Sequence, residues 1–171
     1  DKVELKYGYW EIRAKLPSGV GTWPAIWMLG SKIDSIGWPN CGEIDIMEHV
    51  GHDEGRIHGS VHTDSYNHII GTQRTNSRLI EDVKTLFHIY SIEWSEQKID
   101  FFIDDTLHYT FKNDFTNDFR TWPFNERFHL LLNVAVGGNW PGPPNNTTVF
   151  PQDMEVDYVR VYEKQEKKCF S

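Results

Sequence analysis

The chain has 171 residues, 39% of them hydrophobic and 14% aromatic, with a formal net charge of −8. That length and apolar content suit one domain with a sizeable core and exclude a disordered chain. The 17 basic residues are scattered among 25 acids, which excludes a nucleic-acid binder that must neutralise phosphates. No apolar run is long enough to span a bilayer, and the opening DKVELKYGYW lacks the layout of a signal peptide.

In chain order, short runs rich in β-branched and aromatic residues recur between Gly, Pro and Asn punctuation. They are YGYWEIRAKL, PSGVGTWP, AIWMLG, GEIDIMEHV and RIHGSVHT, followed by FHIYSIEWS, KIDFFIDDT, LHYTFK, FHLLLNVAVGG and MEVDYVRVYE. Many short strands without helical periodicity predict an all-β sandwich. Asp104-Asp105, between two alternating runs, predicts a hairpin turn. Near the end, Val156, Tyr158, Arg160 and Tyr162 are expected on one face, with Asp157, Val159 and Val161 on the other. The terminal EKQEKKC reads as a solvated charge run. Cys41 and Cys169 form neither a metal spacing nor a redox pair, which leaves a disulfide between them open. With no internal repeat or linker, residues 1–171 read as one domain.

The stretch GEIDIMEHV carries Glu43, Asp45 and Glu48 among apolar residues. Side chains alternate faces along a strand, so a regular strand puts Glu43 and Asp45 on one face and Glu48 on the other. A β-bulge at Ile46-Met47 would reset the count and return Glu48 to the shared face. Glu43 and Glu48 would then be about 13 Å apart along the backbone, near enough for their side chains to approach the ~5–5.5 Å separation of a retaining glycosidase. Crowded carboxylates raise the pKa of at least one member, and one ionised and one protonated acid is what such an enzyme needs. Spacing alone does not say which glutamate is which. A solvated acidic face is the plainer reading, but His49, His52, His58, His62 and His68 follow closely and Trp23, Trp27 and Trp38 precede, which suits a cleft better. A zinc site on His58-x-x-x-His62 is disfavoured, because on a strand those rings lie about 13 Å apart.

GEIDIME resembles the active-site strand of glycoside hydrolase family 16, whose bulged branch reads Glu-x-Asp-x-x-Glu. GTWPAIWMLG, GWPNCGEIDIMEHVG, IHGSVHT, LLNVAVGGNWPG and VDYVRVYE resemble the laminarinase subgroup, the endo-1,3-β-glucanases, in the same order over nearly the whole chain. The resemblance implies a jelly-roll sandwich of two antiparallel sheets, concanavalin-like, with a concave glucan cleft. It implies Glu43 as nucleophile, Glu48 as general acid/base and Asp45 as the assisting acid, with retention by double displacement. No cofactor for catalysis is implied. Sugar rings stack on aromatic faces, so Trp23, Trp27, Trp38 and Trp140 are candidate substrate residues, while Trp10, Trp94 and Trp122 are assigned to the core. His62 and Asn133 are candidate polar cleft residues, and His58 and His68 remain open between structural and ligand roles.

A structural calcium, held by the Gly8 carbonyl and the Asp157 carboxylate, is a further implication of the resemblance. So are a polysaccharide partner, a β-1,3-glucan, and an extracellular or periplasmic location. Family domains usually have strands before the segment matching YGYWEIRAKLP, which implies an N-terminally incomplete domain and leaves room for another chain to complete the sandwich. Two alternatives follow from the same likeness: a glucan-binding module that does not cut, and an enzyme acting on mixed-linkage glucan or agar.

Overall fold

The computed structural model describes residues 3–163; Cys169 and most of the terminal charge run lie outside them. Ten strands form two antiparallel five-stranded sheets, ordered β10-β1-β6-β7-β8 and β5-β4-β3-β2-β9. In chain order they are β1 (Gly8–Lys15), β2 (Thr22–Gly30), β3 (Glu43–Glu48), β4 (Arg56–His62), β5 (Arg74–Leu79), β6 (His88–Trp94), β7 (Lys98–Ile103), β8 (Thr106–Lys112), β9 (Phe128–Val136) and β10 (Glu155–Tyr162). Among the described residues, helix is confined to α1 (Ile33–Ile36) and a short 3-10 turn at His68–Ile70. This is the expected sandwich.

The core lies between the sheets. From one side come Trp10 and Ile12 of β1, Tyr90, Ile92 and Trp94 of β6 and Ile99, Phe101 and Ile103 of β7; from the other come Ile26 and Met28 of β2, Ile44, Ile46 and Met47 of β3 and Ile57 and Val61 of β4. Trp10, Trp94 and Trp122 are all buried in it, as expected. Asp104 and Asp105 form the two-residue loop between β7 and β8, with φ of 47° and 61°. Positive φ at both central residues is the geometry that matches the twist of a hairpin, and Asp tolerates it better than most residues.

Three local expectations change. TWPAIWMLG is one strand rather than the parts of two runs, with Pro24 inside it opposite Val134. Pro24 is tolerated because its carbonyl accepts from His49 N on the side where β3 has already ended, so the missing N–H breaks no ladder bond. β5, RTNSRL, is polar and carries no apolar alternation to reveal it. In β10 the register slips between Arg13 and Ala14 of β1, so Val156 lies opposite buried Ala14 rather than sharing the outward face of Tyr158.

β9 and β10 are edge strands on the same side of the sandwich, and between them Leu130, Val159 and Val161 line a gap with Val3, Leu5 and Trp10. Leu132 and Val159, 38% and 42% exposed, mark where the apolar interior meets solvent. Leu5 pairs with Phe128 in an isolated antiparallel bridge at the start of the β9 edge.

Candidate active site

β3 carries the acids in the middle of its sheet. Glu43 lies opposite His62 of β4 and Leu29 of β2, Asp45 opposite Ser60 and Trp27, and Glu48 opposite His58 and Ala25. Between Asp45 and Glu48, β3 uses one residue more than either neighbour, and the register shifts there on both sides. The extra residue falls at Ile46-Met47, and both of these side chains are buried in the core. The bulge thus turns two adjacent apolar residues inward and brings Glu48 back to the face of Glu43 and Asp45. All three acids line one hollow of about 190 Å³ with Trp23, Ala25, Trp27, Asn133 and Ala135. Across the bulge on β4 sits Gly59, where an added Cβ would come within 3.1 Å of Phe101 and His108. A glycine inside a strand-like run is the sequence sign of such a close approach.

Three cleft tryptophans have their indole N–H committed, each to a different partner. Trp38 Nε1 donates to Glu43 Oε2 at 2.8 Å, Trp23 Nε1 to Glu48 Oε1 at 3.0 Å, and Trp27 Nε1 to Asn133 Oδ1 at 2.8 Å. On the Glu43 side the cleft continues into a space of about 360 Å³ lined by Trp27, Leu29, Ile33, Trp38, Glu43 and His68. His68, left open by sequence, packs on Trp38 at 5.1 Å and on His62 at 5.3 Å. On the Glu48 side Trp140 meets Trp23 edge-on at 5.5 Å and His58 at 5.1 Å. His58 and His68 therefore belong to the cleft walls, a role that the density of histidines after the acids hinted at. Leu29 and Ile33 carried no such signal.

His62 is buried, with Nε2 3.3 Å from Asp45 Oδ2 and 3.9 Å from Glu43 Oε1. The closer contact lacks hydrogen-bond alignment, so Asp45 Oδ2 has no hydrogen-bond partner. Burial, reinforced by neighbouring charge, raises all three acids. Glu43 is pushed up to about 9 by burial and then by Asp45. Asp45 is held well above the usual carboxylate range by burial and then by Glu48. Glu48 rises to about 7 by burial and then by Glu43, with the Trp23 N–H pulling it back. The cluster therefore holds fewer than three negative charges at neutral pH, with protons to share.

The resting order, Glu43 above Glu48, is the reverse of what a nucleophile and an acid need. Glu43 and Asp45, however, share a side-chain hydrogen bond, so one proton serves both. Glu43 accepts from the Trp38 indole, while Asp45, 2% exposed, has no such donor on its free oxygen. The contact between the two carboxyls by itself raises Glu43 and lowers Asp45. The Trp38 N–H, however, stabilises charge on Glu43, and no donor meets the buried free oxygen of Asp45, so for the reaction we place the charge of the pair on Glu43 and its proton on Asp45.

The family model of glycosyl hydrolases family 16 matches residues 2–160. The chain belongs to this family. Among family 16 relatives, the β-glucanase of Rhodothermus marinus is 51% identical over 168 residues, covering 94% of this chain and 59% of the relative. The keratan-sulfate endo-1,4-β-galactosidase of Sphingobacterium multivorum is 40% identical over 162 residues, covering 94% of this chain and 38% of the relative. The X-ray structure of the laminarinase from Rhodothermus marinus superposes with a TM-score of 0.90 at 49% identity, covering 96% of this chain and 68% of that one. This family 16 chain thus spans under two thirds of the length of these two curated relatives.

The calcium expected of a family 16 domain does not fit Gly8 and Asp157. Gly8 starts β1, whereas Asp157 lies beside Arg13 and Ala14 at its other end, about 17 Å away along the strand. The carboxylate of Asp157 is occupied by an ion pair with Arg13, 2.6 Å long. The family resemblance implied one site for the two residues; the register of β1 with β10 keeps them apart.

Trp38 reaches Glu43 from the 31–42 loop of this family 16 fold, and that loop is closed by two glycines. Gly30 N donates to Gly42 O, and a Cβ on Gly30 would fall 1.9 Å from the Cys41 carbonyl. Gly30→Ala must therefore push the loop base away from β2. It is expected to cost at least about 3 kcal/mol of stability and to loosen the Trp38–Glu43 hydrogen bond. Urea unfolding of the variant against the wild type checks the first effect.

Proposed function

We propose that this chain is the catalytic portion of a retaining, endo-acting glycoside hydrolase that cuts internal β-1,3 linkages of a β-glucan such as laminarin. The observation that carries the reading is the bulge at Ile46-Met47, which gathers Glu43, Asp45 and Glu48 onto one aromatic-walled face. Two carboxylates in different hydrogen-bonding environments, with a third beside them, are the equipment of double displacement. β-1,3-Glucan is preferred as substrate because of the likeness to the Rhodothermus β-glucanase and laminarinase.

In the first step Glu43 attacks the anomeric carbon while Glu48 gives its proton to the departing glycosidic oxygen. Asp45 keeps its proton and hydrogen-bonds Glu43, steadying the charge until it is used. In the second step Glu48, now ionised, takes a proton from water, which attacks the anomeric carbon and releases Glu43. A Glu48 poised near 7 suits both halves of this cycle. Trp27, Trp38, His62, Asn133 and Trp140 contact the polysaccharide along the cleft. No cofactor takes part in these steps, and an extracellular or periplasmic setting goes with a polymeric substrate.

Incubation of the purified protein with laminarin, lichenan and agarose, with reducing ends as the readout, tests the assignment. Laminarin is expected to be cut fastest, and the first product seen by NMR is expected to keep the β configuration. Binding of laminarin by folded protein without hydrolysis of any of the three would replace the enzyme with a binding module. Faster cutting of lichenan or agarose would move the specificity to mixed-linkage glucan or galactan.

A further inference from the structure

Trp23 stands apart from a sugar platform in how its ring is held. Its N–H is spent on Glu48 Oε1 at 3.0 Å. One edge of the ring meets Trp140 at 5.5 Å and 83°, and Trp140 in turn meets His58 at 5.1 Å and 83°. The backbone of the following loop closes over the same indole, since a Cβ on Gly138 would lie 3.9 Å from Trp23 Cζ3. The ring is only half-buried, yet three neighbours fix its angle and its one polar atom points at a carboxylate.

We propose that Trp23 is a positioning residue for Glu48: its indole N–H holds Oε1, so that Oε2 is the oxygen left to carry a proton to the glycosidic oxygen and to take one from water. A carboxyl on a flexible glutamate side chain rotates freely unless one oxygen is tied down, and a general acid works only within hydrogen-bond reach of the atom it protonates. The Trp23 bond supplies that tie from β2, an element separate from the strand that carries Glu48. The aromatic line from His58 through Trp140 to Trp23 sets the direction of the bond. This inference rests on the reading of Glu48 as general acid/base.

The groups that set the charge of Glu48 are few. Glu43 and Asp45 share its strand, and His58 and His62 face it from β4. β2 and β9 line the hollow around it with Trp23, Ala25, Trp27, Asn133 and Ala135, none of which titrates. Among these neighbours the Trp23 N–H is a hydrogen-bond donor to the ionised form, and donors of this kind lower a carboxyl pKa.

Trp23→Phe keeps an aromatic ring and deletes the donor; site-specific replacement of Trp23 by benzothienylalanine deletes the N–H while keeping the bicyclic shape. Each variant is compared with wild type on laminarin and on an aryl β-oligoglucoside whose nitrophenolate leaving group departs without protonation. The expected result is a fall in kcat and in kcat/KM on laminarin of about 10-fold or more, with KM little changed, while kcat/KM on the aryl substrate, which reports only the first step, stays close to wild type. The alkaline limb of the laminarin profile should move up by about one pH unit.

Equal losses of kcat/KM on both substrates, or a rise in KM alone, would make Trp23 a packing or sugar-binding residue and overturn the proposal. If Trp23→Phe melts early, the benzothienyl variant decides, with the pH limb as readout. Failure of wild-type protein to cut either substrate would count against the enzyme reading itself, a separate outcome from a variant that loses both equally.

Discussion

Glu43→Ser lowers laminarin turnover by at least about 10⁴-fold with the fold retained, as the removal of a nucleophile should. The substitution sits on a strand paired on both sides, and its neighbour contacts on the cleft face are the Trp38 indole and His62, so no core packing is lost. Added azide separates the roles of the two glutamates. In Glu43→Ser the small anion fits the space of the lost carboxylate, attacks the face opposite the leaving group of an activated β-glucoside and gives an α-glycosyl azide. In Glu48→Ala it instead attacks the intermediate on Glu43 and gives a β-glycosyl azide. Exchange of these two products would exchange the two roles, and wild-type turnover by Glu43→Ser would remove Glu43 from the chemistry.

The same three acids make the folded state sensitive to alkali. Their folded pKa values are raised, Glu43 to about 9 and Glu48 to about 7, while unfolded carboxyls titrate near ~4. A group of this kind stabilises fully below its unfolded pKa and loses that contribution as pH rises through its folded value. His49 and His108 act in the opposite sense: burial lowers both to about 4, so their contribution is present above ~6.5 and is lost as pH falls toward 4. The two effects oppose one another below pH ~6.5; from there to ~8.5, below the range in which the raised Cys41 thiol and the buried tyrosines act, only the acids contribute.

Thermal stability is therefore expected to fall steadily between pH 6.5 and 9. Glu43→Gln, which leaves one carboxyl where the Glu43–Asp45 pair must bear two charges at alkaline pH and keeps a carbonyl for the Trp38 N–H, should fall less. At pH 9 the variant is expected to exceed wild type by roughly 2 kcal/mol, or ~4–8 °C in Tm for a chain of this size, while losing activity. Parallel melting curves at the two pH values check it. Identical slopes for the two proteins would mean that the Glu43–Asp45 pair holds no proton in the fold. Stability gained by disarming a catalytic group is the usual trade between function and stability.

Much of this site is legible in the sequence. Counting by two along GEIDIMEHV leaves Glu48 on the wrong face, and one inserted residue is the smallest repair; the register shift at Ile46-Met47 is that repair. Asp104-Asp105 announced its hairpin because the residues that accept positive φ are few. Trp38 and Trp140 were legible as cleft residues from their loops, yet what their rings do was not. β5 was missed because a polar strand that pairs only along one edge has no buried face to impose alternation.

By itself the sequence determined what is local and periodic: an all-β sandwich, its strong strands, one turn and a cluster of three acids. Alternation encodes which face is buried, and that information lies within a few residues. Only the tertiary structure decided which indole meets which carboxylate, and that Gly8 and Asp157 lie at opposite ends of β1. Those outcomes depend on the register between strands far apart in the chain. Register is set by side chains packing across the interface and by a slip such as that at Arg13 and Ala14, where one residue more or less redirects every partner beyond it.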